Sequence, residues 1–201
     1  MTDPVSSDQL YQRAIERLQA LFEQARRGSL REPTAATLAT ADAQGRPSAR
    51  TVLLKAIDAR GCVFYTNLES RKARQLAANP RAALCAFFDP LMEQALLEGR
   101  VERVGDVEAD AYWSTRDRTS QLGAWASRQS QPLEQPQQLE ERVREFDQRF
   151  AGQPVPRPLH WSGFRLVPDR IEFWAARPHR LNERTLYMQE HGRWISTRLY
   201  P

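Results

Sequence analysis

From residue 35 onward the chain is cut into short β-prone stretches joined by tight turn signals, and this limits the folds open to it. Residues 35–41, 49–57 (ARTVLLKAI) and 62–67 (CVFYTN) are separated only by Gln44-Gly45 and Arg60-Gly61. Connections this short join antiparallel neighbours, because a parallel crossover needs a dozen or more residues. Residues 82–88 and 95–104 resume the strand pattern, and so do 165–174 (RLVPDRIEFW) and 194–201 (WISTRLYP). No G-x-G-x-x-G follows a strand, so a dinucleotide-binding Rossmann unit is not supported.

Helical segments punctuate these strands. Ser6 or Ser7 caps a helix running to about Arg27, with Leu10, Ala14, Leu18, Leu21 and Ala25 on one face and Gly28 as its stop. Ser70 opens a second helix, RKARQLAA, which Asn79-Pro80 ends. Residues 106–127 read as a helical region with a possible break at Gly123. A Gln/Pro-rich loop covers 129–138, a helix follows over 139–150, and 152–160, with three prolines, connects to the next strand. The order predicts an α+β protein on an antiparallel barrel with flanking helices. Residues 1–201 read as one domain, with an N-terminal helix within 1–30 and a helical insertion over 106–150.

The composition narrows the class further. Lys and Arg number 29 against 25 Asp and Glu, a formal net charge of +4, weighted to arginine. No helix-turn-helix, zinc-finger or RRM signature accompanies this excess, so nucleic acid is not the expected partner. Arginine used to hold phosphorylated small molecules accounts for it as well. Cys62 and Cys85 belong to no CxxC pair and read as buried small hydrophobes. No apolar run is long enough to span a bilayer, and MTDPVSSDQL lacks the build of a signal peptide, so the cytoplasm and no membrane are expected.

Several residues offer binding chemistry. Ser70-Arg71-Lys72 puts two cations on free N–H groups at a helix start, which suits phosphate; a plain cap with solvated cations is the alternative. Arg50 and Lys55 are five apart on one strand, so regular geometry sends them to opposite faces unless the strand is bulged or the ligand is long. Tyr112, Arg116 and Ser120 are spaced by four and align on one helical face as phenol, guanidinium and hydroxyl, a set able to grip phosphate or simply to be exposed polarity. Arg180, Asn182 and Arg184 alternate, which in an extended segment gives one face with two guanidinium forks and an amide. Trp125, Trp161 and Trp194 are core candidates, while Trp174 could wall a flat aromatic ligand. His160, His179 and His191 form neither a metal spacing nor a Ser-His-Asp set. With no evident acid, base or nucleophile, a cofactor is expected to carry the chemistry.

RTVLLK (50–55), FYTN (64–67), SRKARQL (70–76), SQLGAWASRQS (120–130), GFRLVPDRIEFW (163–174) and RLNER (180–184) together resemble the pyridoxine/pyridoxamine 5′-phosphate oxidase family, from about Pro33 to Pro201. The resemblance implies an FMN-binding split barrel that forms a homodimer with FMN between the subunits. It implies oxidation of pyridoxamine or pyridoxine 5′-phosphate to pyridoxal 5′-phosphate with O₂ as acceptor. FMN would be held by Arg50, Thr51, Val52, Leu53, Leu54, Lys55, Tyr65, Thr66, Arg71, Lys72, Gln94, Gln129, Ser130, Trp174 and Arg184. The substrate would meet Lys55, Tyr112, Arg116 and Ser120 at its phosphate, with Arg180 and Asn182 as catalytic residues at its ring. Three features depart from the family pattern. Asn182 stands where His is usual, Glu93 stands where Arg usually precedes the glutamine, and no Arg-x-x-Tyr segment precedes Pro33. The same resemblance leaves room for a relative acting on another aromatic metabolite, such as a phenazine precursor, or for a flavin or pyridoxal-phosphate binder with little turnover.

Overall fold

A computed structural model describes residues 6–28 and 30–201; the first five residues of the predicted 1–30 segment, and Ser29, lie outside it. Helix α1 (Ser7–Arg27) opens with a capping box. The Ser6 hydroxyl accepts the Gln9 N–H at 3.3 Å, and the Gln9 side chain accepts the Ser6 N–H at 2.9 Å. The helix stops at Gly28, whose N–H donates to the Gln24 and Ala25 carbonyls. Its apolar stripe of Ile15, Leu18, Leu21 and Phe22 is buried.

Eight strands follow: β1 (Ala35–Ala41), β2 (Pro47–Asp58), β3 (Gly61–Asn67), β4 (Arg81–Phe88), β5 (Glu93–Arg103), β6 (Trp161–Ala175), β7 (Glu183–Glu190) and β8 (Arg193–Leu199). The sheet order is β3-β2-β1-β4-β5-β6-β7-β8, and β3 also pairs with β6. The first six strands therefore close into an antiparallel barrel, and β7-β8 extend it along the second half of β6. β6 begins earlier than its sequence pattern indicated, because residues 161–166 pair with β3. Its pairing with β5 shifts register between Glu98 and Gly99, beside Pro168. A Cβ on Gly99 would lie 2.1 Å from the Val167 carbonyl oxygen, so only glycine fits this close approach.

Inward-facing Leu38, Leu54, Phe64, Leu84, Leu97, Leu166, Ile171 and Phe173 fill the barrel, and α1 packs into the same core. Phe22 of α1 meets Phe88 of β4 edge to face, ring centroids 5.0 Å apart. At the other end of the helix Tyr11 stacks on Trp194 at 4.7 Å. Cys62 is buried in this core and Cys85 is half-buried on the outer face; both are free thiols.

Helix α2 (Arg71–Ala78) follows β3 as expected. The insertion forms three helices, α3 (Asp106–Ser114), α4 (Arg118–Ala126) and α5 (Gln137–Arg149). The predicted break at Gly123 is not where the region divides. The chain turns at residues 115–117, where Asp117 caps α4 by accepting the Ser120 N–H at 2.8 Å. Trp113, Leu122, Phe150, Val155 and Trp161 make a small aromatic core of their own. Arg165, 3% exposed, ties the insertion to the barrel with ion pairs to Asp58 (2.9 Å) and to Glu108 of α3 (2.6 Å). Among the described residues no helix is long and apolar enough to cross a membrane, and no cluster of His, Cys, Asp or Glu could hold a metal.

If α1 is part of the barrel core, Phe22→Ala should cost about 3–5 kcal/mol of unfolding free energy. Leu139→Ala, on the exposed side of α5, should stay within about 0.5 kcal/mol. Chemical denaturation of both variants checks this; equal losses would contradict the shared core.

Candidate active site

Lys72 sits where β3 passes into α2. Its ammonium donates to the Thr66 hydroxyl at 3.0 Å and to the Gln129 side-chain carbonyl at 2.9 Å, with the Ser70 hydroxyl at 3.4 Å. The Arg71 N–H, free at the helix start, donates to the Ser130 hydroxyl at 3.1 Å. Arg50 approaches from β2. It donates to the Leu38 carbonyl at 3.1 Å, to the Thr40 hydroxyl at 2.6 Å and to the Ser48 hydroxyl. Behind it the buried Gln75 carbonyl accepts from Thr40 at 2.6 Å and from Ser48 at 2.7 Å. Burial, and then the Arg50 charge, pull the Lys72 ammonium down to about 8. Burial, and then Arg71, lower Arg50 too. Among the described residues none of these three cations forms an ion pair, nor do Lys55 and Arg116, although most other arginines of the barrel do. Concentrated positive charge without a carboxylate, at a helix N-terminus, is the electrostatic form of an anion site.

Lys72, Lys55 and Arg116 border a cleft of about 720 Å³. Thr51, Val52, Leu53 and Lys55 of β2 line one wall, and the Val52 and Leu54 side chains are also buried in the core. The pairing of β2 with β3 shifts register between Leu54 and Ala56, so Lys55 stands at a bulge. Arg50 and Lys55 do face opposite sides of β2. The opposite wall holds Tyr112, Arg116 and Ser120. They do not share one helix as their spacing indicated: Tyr112 is on α3, Arg116 in the turn and Ser120 on α4. They nonetheless converge on the cleft. Tyr65 and Tyr112 stack at 4.1 Å, and Tyr65 and Trp161 at 5.2 Å. The Arg116 guanidinium lies 4.8 Å from the centre of the Trp161 ring and donates to the Ser120 carbonyl at 2.9 Å. Burial lowers Arg116 from its ordinary value and raises Tyr112. Of the two residues that build this site from behind, Trp161 read in the sequence as a core residue only, which it also is, and Gln75 carried no signal. Trp161 reaches the cleft only through its pairing with Asn67 on β3.

The other implied residues lie elsewhere. Gln94, Trp174 and Arg184 are register partners across β5, β6 and β7. Arg184 donates to the buried Glu172 carboxylate at 2.7 Å and to the Tyr200 carbonyl at 3.1 Å. RLNER is not one extended face. His179 and Arg180 have φ of 58° and 62°, and β7 starts only at Glu183. The exposed Arg180 thus sits on a loop, and the Asn182 side chain turns back to accept the Arg177 N–H at 3.2 Å. Glu93 pairs with Arg17 of α1 at 3.4 Å, so its charge is compensated within the chain. From Ser162, opposite Thr66, to Trp174 the strand contour is about 40 Å at ~3.3 Å per residue. The Trp174–Arg184 cluster thus lies at the opposite end of β6 from the Lys72 cluster.

Fold and site together define a split-barrel protein with a cation-lined cleft. Residues 22–150 match the family described as pyridoxamine 5′-phosphate oxidase, and residues 161–201 match the pyridoxine 5′-phosphate oxidase C-terminal dimerisation region. The chain belongs to the pyridoxamine 5′-phosphate oxidase family. A pyridoxine/pyridoxamine 5′-phosphate oxidase of Myxococcus xanthus is 59% identical over 187 residues, 93% of this chain and 91% of the relative. Another, of Alkalilimnicola ehrlichii, is 51% identical over 195 residues, 96% and 100% of the two chains. Among solved structures, PhzG from Burkholderia lata 383 in complex with tetrahydrophenazine-1-carboxylic acid superposes with a TM-score of 0.87 at 32% identity, covering 100% of this chain and 95% of that one.

The depressed Lys72 has a consequence for pH. An anion beside it favours the charged form, so binding above pH 8 must draw in a proton. FMN, the ligand implied by the family resemblance, should bind with constant affinity below pH 8 and weaken by up to about tenfold per unit above it. Lys72→Met should weaken binding at pH 7 by about 1.5–3 kcal/mol and flatten that slope. Fluorescence titration between pH 7 and 9.5 decides; a flat wild-type profile would mean that Lys72 does not touch the anion.

Proposed function

We propose that this protein is an FMN-dependent oxidase that converts pyridoxamine or pyridoxine 5′-phosphate to pyridoxal 5′-phosphate, working as a homodimer. The observation that carries the reading is a pair of cationic groups about one cleft, which Lys72 lines for the first and Lys55 and Arg116 for the second. Arg50, Arg71 and Lys72 form one at the start of α2, and Lys55, Tyr112, Arg116 and Ser120 form the other. Two sockets suit two phosphorylated molecules, a cofactor and a substrate.

The residues present fit FMN. Its phosphate would take Arg50, Arg71 and Lys72 at the N-terminus of α2, with Thr66, Gln129 and Ser130 hydrogen-bonding beside them. Thr51, Val52, Leu53, Leu54 and Tyr65 would flank the rest of the molecule. Bound FMN supplies the two-electron acceptor that the side chains lack. Lys55, Tyr112, Arg116 and Ser120 would hold the substrate phosphate, and the Tyr65–Tyr112–Trp161 stack keeps that wall rigid and apolar behind it. Positioning is then the main contribution of the chain to rate. The amine substrate yields aldehyde and ammonia with one water consumed, the alcohol yields aldehyde alone, and O₂ becomes hydrogen peroxide in both.

A second copy completes the site in this reading, bringing Gln94, Trp174, Arg180, Asn182 and Arg184 to the cleft of the first. The outer barrel face suits such a neighbour. Thr37, Ala39, Ala49, Ala83 and Cys85 form a flat run of small side chains, with Phe87 49% exposed at its edge.

Arg116→Ala should raise KM for pyridoxamine 5′-phosphate at least tenfold, one charge-assisted contact being worth about 1.5–3 kcal/mol, and leave FMN affinity nearly unchanged. Peroxide release against substrate concentration tests it; equal oxidation of unphosphorylated pyridoxamine by the wild type would refute the second socket. The likeness to PhzG favours a second reading, in which a reduced phenazine carboxylate takes the socket. Faster turnover of that acid than of pyridoxamine 5′-phosphate would establish it instead.

A further inference from the structure

We infer that Asn182 is a positioning residue: its side-chain carbonyl closes the loop that presents Arg180, and it does not itself meet the substrate. The inference rests on the oxidase reading for what Arg180 does, but its geometry is independent of that reading. The loop between β6 and β7 leaves the sheet at Ala176, whose N–H donates to the Met92 carbonyl at 2.9 Å. It turns through His179 and Arg180, two consecutive residues with side chains in the left-handed region. L residues adopt that conformation only where their surroundings enforce it. Inside the loop the only backbone closure is the Leu181 N–H to the Pro178 carbonyl at 3.2 Å. Its mouth is closed by two side-chain contacts. Arg177 pairs with Glu183 at 2.9 Å, but both are exposed and such pairs contribute little. The other is the Arg177 N–H donating to the Asn182 Oδ1 at 3.2 Å, with Asn182 half-buried. That amide carbonyl is thus the contact that holds the strained pair in place. Arg180 itself is exposed and forms no ion pair among the described residues, so nothing else fixes its direction.

An acceptor one methylene from the backbone is what this role requires, and Asp supplies it as Asn does, whereas Ala does not. The test measures hydrogen exchange of the Arg177 amide and steady-state kinetics with pyridoxamine 5′-phosphate. Asn182→Ala should speed Arg177 exchange about tenfold or more and lower kcat/KM about tenfold, with the melting temperature held. Asn182→Asp should recover most of both losses. In an Arg180→Ala background, Asn182→Ala should cost less than about twofold more, because it acts through Arg180. Asp as damaging as Ala, or a full additional loss in that background, would overturn the inference in favour of direct contact. If the wild type turns over no pyridoxamine 5′-phosphate, the oxidase reading fails while the exchange arm still decides the clamp: faster exchange in Asn182→Ala supports it, and unchanged exchange overturns it.

Discussion

Three cations held together without a carboxylate are the constraint on which this structure turns. Arg50 and Lys72 are partly desolvated and each lies near another cation, and both effects lower them below their ordinary range. Such an arrangement persists only because the surrounding framework is rigid. Strand β2 delivers Arg50 and the start of α2 delivers the other two. The buried Gln75, with Thr40 and Ser48, engages the polar hydrogens behind Arg50, so no further group is left unsatisfied there. An anion relieves the repulsion, and the folded chain is thereby prepared for one.

The rest of the fold brings a second cationic group, Lys55 and Arg116, to the cleft that Lys72 lines. Arg165 joins the barrel to α3 through Asp58 and Glu108, and α3 carries Tyr112 onto Tyr65. The turn at residues 115–117 then sets Arg116 over Trp161. Removing Glu108 would leave the buried Arg165 guanidinium short of a carboxylate, which costs more than the pair contributes and fixes the geometry once it has formed. The barrel supplies one wall, the helical insertion the other, and the cleft is the seam between them.

Much of this was legible in the sequence, for physical reasons that differ by element. α1 was readable because a capping serine, a 3.6-residue stripe and a terminal glycine agree. The strands were readable from their turn residues, and the start of α2 from Ser70. The division of the insertion was not, because Tyr112, Arg116 and Ser120 keep a spacing of four whether one helix or two carry them. RLNER was misread for a related reason: alternation implies a shared face only if the backbone is extended, and two left-handed residues break that condition. The family pattern named two groups of residues without saying how far apart they lie in one chain. That distance follows from the β3–β6 and β5–β6–β7 pairings, which are non-local and leave no trace in any short segment.

The central claim is that the reaction centre combines the cleft of one copy with the Arg180 loop of another. Complementation between two variants tests it most directly. Arg116→Ala impairs the cleft and Arg180→Ala the loop. Unfolded and refolded together at equal amounts, they form mixed dimers in half of the population, and each mixed dimer holds one site with both residues intact. The account predicts that the mixture regains roughly a quarter of wild-type peroxide release, although each variant alone is impaired at both sites. Activity no higher than the mean of the two variants, with mixed dimers demonstrated by mass, would contradict it and place the whole centre within one chain.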